Sequence, residues 1–461
     1  MRIKERLENA FASELFTFDQ LKKIFIPLIF DQASIYIIAM LSTAMVSTAN
    51  MEGFAGINLV SPLMFICSAV FTCLATGGSI VVAQAKGSRD EAALRRSTGQ
   101  SILLCSFFGL IITFILLFFG EAMVHLFFSD ATKNQPDMIK YAVQYLRIMG
   151  LSFFPFAIFQ AVFSVFRGIG DSKSSLVLTV VINGVHLILS YLYIVILDLG
   201  VVGSALSYVT ARVIGAIIAL VWLFRVNQNV RIHMKDILTF DKKISLRITL
   251  LSVPILIEQV IFQAGMLVNQ IFMSKLEELQ ITANAVASNA YNIYLAVAMG
   301  LQSLTMTVCG QCVGAGCKDL FKKYLNSLRK YGRLIMLIDI IVITPFMPLI
   351  LKLYSAQPDQ LPLIYKVTAI GAVFLPIIWC EANITPAALK SAGDTSVTTV
   401  FSIVALWTGR VTIGGLLLVE TLKLGAVGAW IGMTVEMFIR AALCHVRYKK
   451  EKWAVKAFHE N

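Results

Sequence analysis

QAKGSRD at residues 84–90 and QCVGAGC at 311–317 close two long apolar runs in the same way, and FRGIGDSK at 166–173 and LKSAGDTS at 389–396 close two more. In each pair the second copy follows the first by slightly less than half the chain. Pro27 and Pro254 stand at the same interval, and LGVVGSA from Leu199 returns at nearly that interval as LGAVGAW from Leu424. Four ordered matches at nearly one offset mark an internal repeat, so the chain is read as two similar halves.

The material between these loops fixes the fold class. Of 461 residues, 57% are apolar and 14% charged, with mean hydropathy +0.78. Soluble domains carry about 25% charged residues, so a water-facing globule is excluded. A membrane-crossing helix needs about 20 mostly apolar residues. Runs of that kind are predicted at 22–48, 54–83, 93–120, 138–166, 174–197, 201–224, 246–274, 282–312, 327–352, 361–389, 395–419 and 425–447. Alternation of period two is absent, which excludes a β-barrel. The expectation is an all-α integral membrane protein of twelve spans in two six-helix lobes. Six is even, so both halves insert alike and should be related by a pseudo-twofold along the membrane normal.

The organisation follows: an amphipathic N-terminal segment at 1–21, an N-terminal lobe at 22–224, a cytoplasmic linker at 225–245, a C-terminal lobe at 246–447 and a basic tail at 448–461. Phe11, Leu15, Phe16 and Phe18 in the first segment suggest a helix lying on the membrane surface. That segment has no apolar core or cleavage site of a secretory signal. The net charge of +12 is spread through short gaps between apolar runs rather than gathered on one face, so no nucleic-acid partner is expected. Thirty of the 39 Lys and Arg fall on one side of the twelve-span arrangement and seven on the other. The positive-inside rule then places both termini in the cytoplasm. The eight cysteines lie in or beside apolar runs and read as packing residues. Cys309-x-x-Cys312 with Cys317 lacks the second pair or histidines that a zinc site needs, so no metal is expected.

Polar residues inside the spans are the candidate functional groups, because such groups are costly in lipid. On the first span Asp31 and Ser42 fall on one face, with Gln32, Tyr36 and Thr43 about 100° to 140° away. On the seventh, Glu258, Asn269, Gln259, Gln263 and Gln270 repeat those five positions, each at the interval that separates Pro27 from Pro254. Lining a water-filled cavity between the lobes and cementing helix packing are equally open readings for the amides and hydroxyls. Asp31 and Glu258 are ionisable and read as functional. His186, Arg212, Asp339, Glu381, Arg410 and Glu436 are the other candidates. Glu381 stands between Pro376 and Pro386, which loosen a helix. Arg410 reads as a packing or ion-pairing residue, Arg212 and Glu436 as residues of the membrane edge, and Asp339 has no evident partner. In the loops, Gly168, Gly170 and Gly393 permit tight turns, and Asp171 and Asp394 are placed to cap the helices that follow.

With those paired loops the chain resembles the multidrug and toxic compound extrusion (MATE) family over nearly its whole length. The resemblance implies two lobes in a V, alternating access, and export of organic cations against inward Na+ or H+. In one branch of the family the coupling acids sit on the first and fifth spans. The matching positions here are Ser42, within Leu41-Ser42-Thr43, and a site near Ser190, leaving Asp31 and His186 as the titratable groups nearby. In other branches a seventh-span glutamate and a tenth-span acid form the site, which Glu258 and Glu381 resemble. The ion-coupling candidates are therefore Glu258, Glu381, Asp31 and His186. The substrate-cavity candidates are Gln32, Tyr36, Ser42, Thr43, Gln259, Gln263, Asn269 and Gln270.

The function expected is a monomeric antiporter of the inner membrane that exports a cationic, amphipathic small molecule in exchange for Na+ or H+, with no other cofactor. The alternative is a lipid-linked saccharide or lipid flippase of the same superfamily, which would favour a cationic cavity. No phosphate-binding G-x-x-x-x-G-K-[ST] is present to power a primary pump. The five histidines are too scattered for an enzyme site. The charge partition is directly testable: reporter tags at either terminus or within 225–245 should all read as cytoplasmic, and an external reading for any one of them removes the twelve-span arrangement.

Overall fold

The computed structural model describes residues 8, 10–47, 51–127, 136–227, 230, 232–354 and 356–459, without the side chains of 36–47, 51–55, 58, 127, 136, 137, 353, 456 and 459. Every described element is helical, as hydrocarbon demands of a backbone that must satisfy its own hydrogen bonds. Ten helices are long and apolar enough to cross a membrane, and a bent pair makes an eleventh. With Phe18–Ser47 they answer to the twelve expected spans. They are α1 (Phe18–Ser47), α2 (Met51–Gly87), α3 (Glu91–Phe127) and α4 (Pro136–Gly150 with Phe153–Ile169). There follow α5 (Ser172–Ile196), α6 (Gly200–Val226), α7 (Lys242–Ser274), α8 (Glu278–Gly314), α9 (Lys318–Lys352), α10 (Leu361–Ser391), α11 (Thr395–Thr421) and α12 (Gly425–Lys449). Large apolar side chains such as Phe118, Ile188 and Ile341 are exposed along them, which lipid, not water, accommodates.

The repeat is written in the backbone as well as in the sequence. Left-handed residues recur at the repeat offset: Arg89 (φ 58°) with Gly316 (70°), Gly170 (84°) with Gly393 (89°), Asp198 (49°) with Lys423 (50°), and Gly200 (51°) with Gly425 (60°). Gly170 and Gly393 make the expected turns. Gly168 serves differently: a Cβ there would stand 2.7 Å from the Ser79 carbonyl, so its smallness lets α4 approach α2. Asp171 caps α5 through the Ser174 amide at 3.2 Å. Asp394 corrects the parallel expectation, since its side chain makes no cap bond and is instead held by Arg447 at 2.7 and 3.0 Å.

The chain divides into two compact units, Ser34–Val253 and Met1–Ala33 with Pro254–Asn461. In the Ser34–Val253 unit α4 bends by 50° at Leu151–Ser152. There the Phe154 amide donates to Thr113 Oγ1 at 3.1 Å and the Ser152 hydroxyl to the Met149 carbonyl at 2.7 Å, so the break leaves these groups satisfied. The segment before α7 is tied down by Gln100, which donates to the Thr239 carbonyl at 2.6 Å and accepts from the Asp241 amide at 3.1 Å.

In the other unit, the stretch 10–16 is packed into the protein rather than spread on a surface. Phe11 and Phe16 are buried, Tyr324 donates to the Phe11 carbonyl at 3.0 Å, and Phe16 meets the Tyr324 ring edge-on at 5.9 Å. Trp453 of the short helix Lys452–His459 packs against Phe321, and Glu451 bridges Lys318 (2.6 Å) and Lys322. Those two ammonium groups hold the Glu451 carboxyl at about 2, so this clasp stays charged at physiological pH.

Backbone-to-backbone packing joins α11 to α12. A Cβ on Gly432 would lie 2.3 Å from the Gly414 Cα, and one on Gly409 2.5 Å from the Glu436 backbone. Gly428 and Gly432 are four apart on one face of α12, the small-residue spacing that lets membrane helices touch along their backbones. Gly432→Ala should therefore destabilise the purified protein by about 1–3 kcal/mol through overpacking. Gly184→Ala, where a Cβ meets nothing within 4 Å, should be neutral or slightly stabilising. Thermal unfolding in detergent compares them; equal midpoints would show that the α11–α12 contact is not tight.

Candidate functional site

Helices α7, α8, α10, α11 and α12 line an open cavity of about 420 Å³ in the C-terminal unit. Asn284, Ser288 and Asn292 recur every four residues on α8 and so present one polar stripe to it. Asn269 and Gln270 of α7 and Asn383 of α10 add further amides. Between these donors and acceptors stand the rings of Tyr291, Trp379 and Trp430 and the thioethers of Met266, Met299, Met433 and Met437. The Trp430 indole donates to Asn284 Oδ1 at 2.9 Å, which fixes both side chains.

One wall carries charge. Glu436 is fully buried, with Arg410 Nε 2.7 Å from one carboxylate oxygen and Arg440 against the other. Arg440 also donates to Asn383 Oδ1 at 3.2 Å. The Arg410 guanidinium donates to Met266 Sδ at 3.0 Å and stands 5.8 Å from the Phe262 ring. Gly409 brings the α11 backbone against α12 at Glu436, and this places the next residue, Arg410, within reach of the carboxylate. The lining thus holds two guanidinium groups for one carboxylate. Flat aromatic faces, adaptable thioethers and a few amides suit an amphipathic organic molecule, and the surplus positive charge repels an ammonium group at this wall.

The coupling candidates fall outside this cavity's lining. Glu258 is held by Lys390 Nζ at 2.7 Å and by the Thr399 hydroxyl at 3.1 Å. Glu381 is gripped by Arg329 and Arg333, and Arg329 reaches His445 Nδ1 at 3.0 Å. Glu258 and Glu381 therefore do not share one base: each carboxylate has its own. Pro376 lies, as the sequence suggested, in loosened helix, for Leu375–Ile384 of α10 is π-helical. Asp31 is fully buried beside Gln32, whose amide donates to its Oδ2 at 3.1 Å.

Of the substrate-cavity candidates, Asn269 and Gln270 line the cavity, Gln263 is half-buried and Gln259 exposed. The side chains of Tyr36, Ser42 and Thr43 lie outside the described residues.

In the N-terminal unit His186 Nε2 lies 3.3 Å from the Ser190 hydroxyl, which donates to Ser207 at 3.0 Å, and the imidazole packs 3.9 Å from the Tyr208 ring. Arg212 donates to Ser152 at 2.6 Å and lies 4.1 Å over Phe156. Among the described residues no carboxylate pairs with it.

Close to the repeat offset His186 answers to Arg410, and Arg212 falls one place from Glu436, so the repeat puts two bases in one unit where the other has an ion pair. The reading of Glu436 as a membrane-edge residue is corrected: it is the anchor of the charged wall. Arg410 is ion-paired, one of the two roles its sequence suggested; what sequence reasoning missed was its partner Glu436 and the third member, Arg440, and the available signal was small glycines on adjacent spans flanking opposite charges.

Known proteins match the chain over nearly its whole length. The MatE family model matches residues 27–192 and 254–412. The chain is 22% identical over 448 residues to the probable multidrug resistance protein NorM of Thermotoga maritima, covering 95% of this chain and 93% of that protein. A solved structure described as MATE in complex with MaL6 superposes with a TM-score of 0.85 at 19% identity, over 95% of this chain and 96% of that one. A MOP superfamily transporter from Pyrococcus furiosus, described as having a binding pocket of reverse polarity that suggests a different function, gives a TM-score of 0.81 at 19% identity.

The buried trio sets a stability test. Removing one member of a buried ion pair costs about 3–5 kcal/mol, because the partner charge is left unmatched. Glu436→Gln should therefore lower the unfolding midpoint strongly, and adding Arg410→Met should restore part of the loss. A Glu436→Gln protein as stable as the parent would mean that the arginines need no carboxylate.

Proposed function

The chain belongs to the MatE family, that of the MATE transporters, and on that premise we propose that it is a secondary active antiporter which exports amphipathic organic compounds by alternating access, in exchange for Na+ or H+. The observation that carries the reading is the cavity of the C-terminal unit, where Asn284, Ser288, Asn292, Trp379 and Trp430 offer hydrogen bonds and ring faces around one volume. A multi-pass transporter of the cell membrane, acting as a monomer with both termini cytoplasmic, completes the proposal. Glu258 and Glu381 serve in it as switch groups: an entering ion neutralises the carboxylate and frees its base, which changes the relative stability of the inward and outward states.

The charge of the lining bears on substrate class. Arg410 and Arg440 against the single Glu436 favour a neutral or anionic group at this wall over the organic cation that the family resemblance implies. The same surplus supports a second reading, a flippase for lipid-linked saccharides or lipids, whose phosphate would meet those arginines.

Purified protein in liposomes, with Na+ and pH gradients imposed separately, tests both. Of cationic, neutral and anionic amphipaths, the neutral and anionic ones should be exported in preference and only under a gradient, and Trp430→Ala or Asn292→Ala should weaken substrate affinity about tenfold, the equivalent of about 1.4 kcal/mol of lost contact. Movement of a labelled lipid headgroup across the bilayer with no organic substrate exported would replace the exporter by the flippase. Unchanged affinity in both variants would remove the cavity from the substrate path.

A further inference from the structure

Asp339 of α9 is only 9% exposed, and its Oδ2 has no hydrogen-bond partner. It also has no ion pair among the described residues, although the three glutamates singled out within the spans of this unit have bases: Lys390 for Glu258, Arg329 and Arg333 for Glu381, Arg410 and Arg440 for Glu436; the fourth acid, Asp31, accepts from the Gln32 amide.

The groups around Asp339 offer it no charge. From α8 the titratable neighbour is Tyr294, whose hydroxyl lies 3.1 Å from Thr344 Oγ1 in the turn that interrupts α9. Of the charged residues of α10, Glu381 is held by Arg329 and Arg333, Lys390 is held by Glu258, and Lys366 is exposed. On α9 itself the nearest base, Arg333, lies six positions earlier, about 9 Å along the helix axis, and the fully buried Met336 stands between them in sequence.

An ionised carboxylate buried without a partner costs several kcal/mol, whereas its protonated form is neutral and tolerated. Acids already matched with arginine or lysine do the opposite and favour the anion. Asp339 is therefore an acid whose protonation displaces no base, so its occupancy by a proton follows access to water directly.

We propose that Asp339 is a proton-carrying site, which makes H+ a coupling ion of the exporter; the inference rests on the antiport reading above. If α9 starts on the cytoplasmic side, as the Lys and Arg distribution predicts, Asp339 lies about 30 Å further along, in the outer half of the membrane. A proton leaving hydronium outside forms the O–H bond of Asp339, leaving water. When the inward state opens this site to the cytoplasm, the bond breaks and the proton passes to water there. Coupling results because the neutral side chain favours the closed surroundings seen here and the anion favours the hydrated state.

The test uses the full chain in liposomes, with a pH-sensitive dye in the lumen and a fluorescent amphipathic dye as the exported compound. Asp339→Asn imitates the protonated acid, so it should bind the compound and exchange it downhill like the parent. Under an imposed pH gradient its uphill export and accompanying proton flux should fall at least tenfold. Parent-like proton flux and accumulation in Asp339→Asn would overturn the proposal.

If that variant fails to fold, Asp339→Glu decides: a displaced pH profile with unchanged substrate affinity supports the site, and an unchanged profile refutes it. A parent protein driven by Na+ alone, with no proton flux, defeats this inference and leaves the exporter standing. A parent protein driven by neither gradient defeats the exporter reading itself.

Discussion

Charge inside hydrocarbon has to be matched by charge, and the C-terminal unit is arranged around one such match. Glu436 is inaccessible to solvent, yet it stands between Arg410 and Arg440. The Arg410 contact crosses from α11 to α12, and it forms where those two helices nearly touch. The close approach is provided by Gly409 and Gly414 of α11 against Glu436 and Gly432 of α12. Small residues thus determine where the charges sit, and the charges in turn give the cavity wall its polarity.

Much of the fold was legible because its determinants are local or repeated. Apolar run length located the spans, and the loop copies located turns whose left-handed residues recur in both units. A turn that needs a left-handed backbone must keep residues able to adopt it, or bear strain. Asp198 and Lys423 show that the conformation can outlast the residue type. What could not be read was side-chain pairing across helices, because it depends on the rotation of each helix and on which helices are neighbours. Glu258 and Glu381 resembled a pair of acids sharing an ion, while the structure gives Lys390 to one and Arg329 with Arg333 to the other. Asp394 occupied a capping position in sequence, but Arg447, in the last turn of α12, competes successfully for its carboxylate with two bonds. Asn269 and Gln270 were legible as cavity residues only because polar amides avoid lipid.

The boundary of the first unit was likewise beyond the repeat. Residues up to Ala33 pack with Pro254–Asn461, and Phe11 and Phe16 lie buried beside Tyr324 and Tyr331 rather than on a membrane surface. An amphipathic stretch has one apolar face whatever covers it. Hydrophobic pattern therefore could not distinguish lipid from protein, whereas hydrogen bonds from Tyr324, Lys323 and Ser327 to the carbonyls of Phe11, Ala12 and Ala10 supply a partner specific to protein.

Duplication constrains backbone more strongly than charge. At nearly equivalent positions one unit carries Arg410 and Glu436 and the other His186 and Arg212, and the two solve the same burial problem by different chemistry. Arg212 has aromatic faces, with its guanidinium 4.1 Å over Phe156, and a hydroxyl at 2.6 Å from Ser152, the residue at which α4 breaks. Pro136–Gly150 ends there, with the negative end of its dipole toward the break. A bend in one helix can thus stabilise a cation that the other unit neutralises with a carboxylate. Because neither solution requires the other, the two copies were free to diverge in polarity while their turns stayed alike.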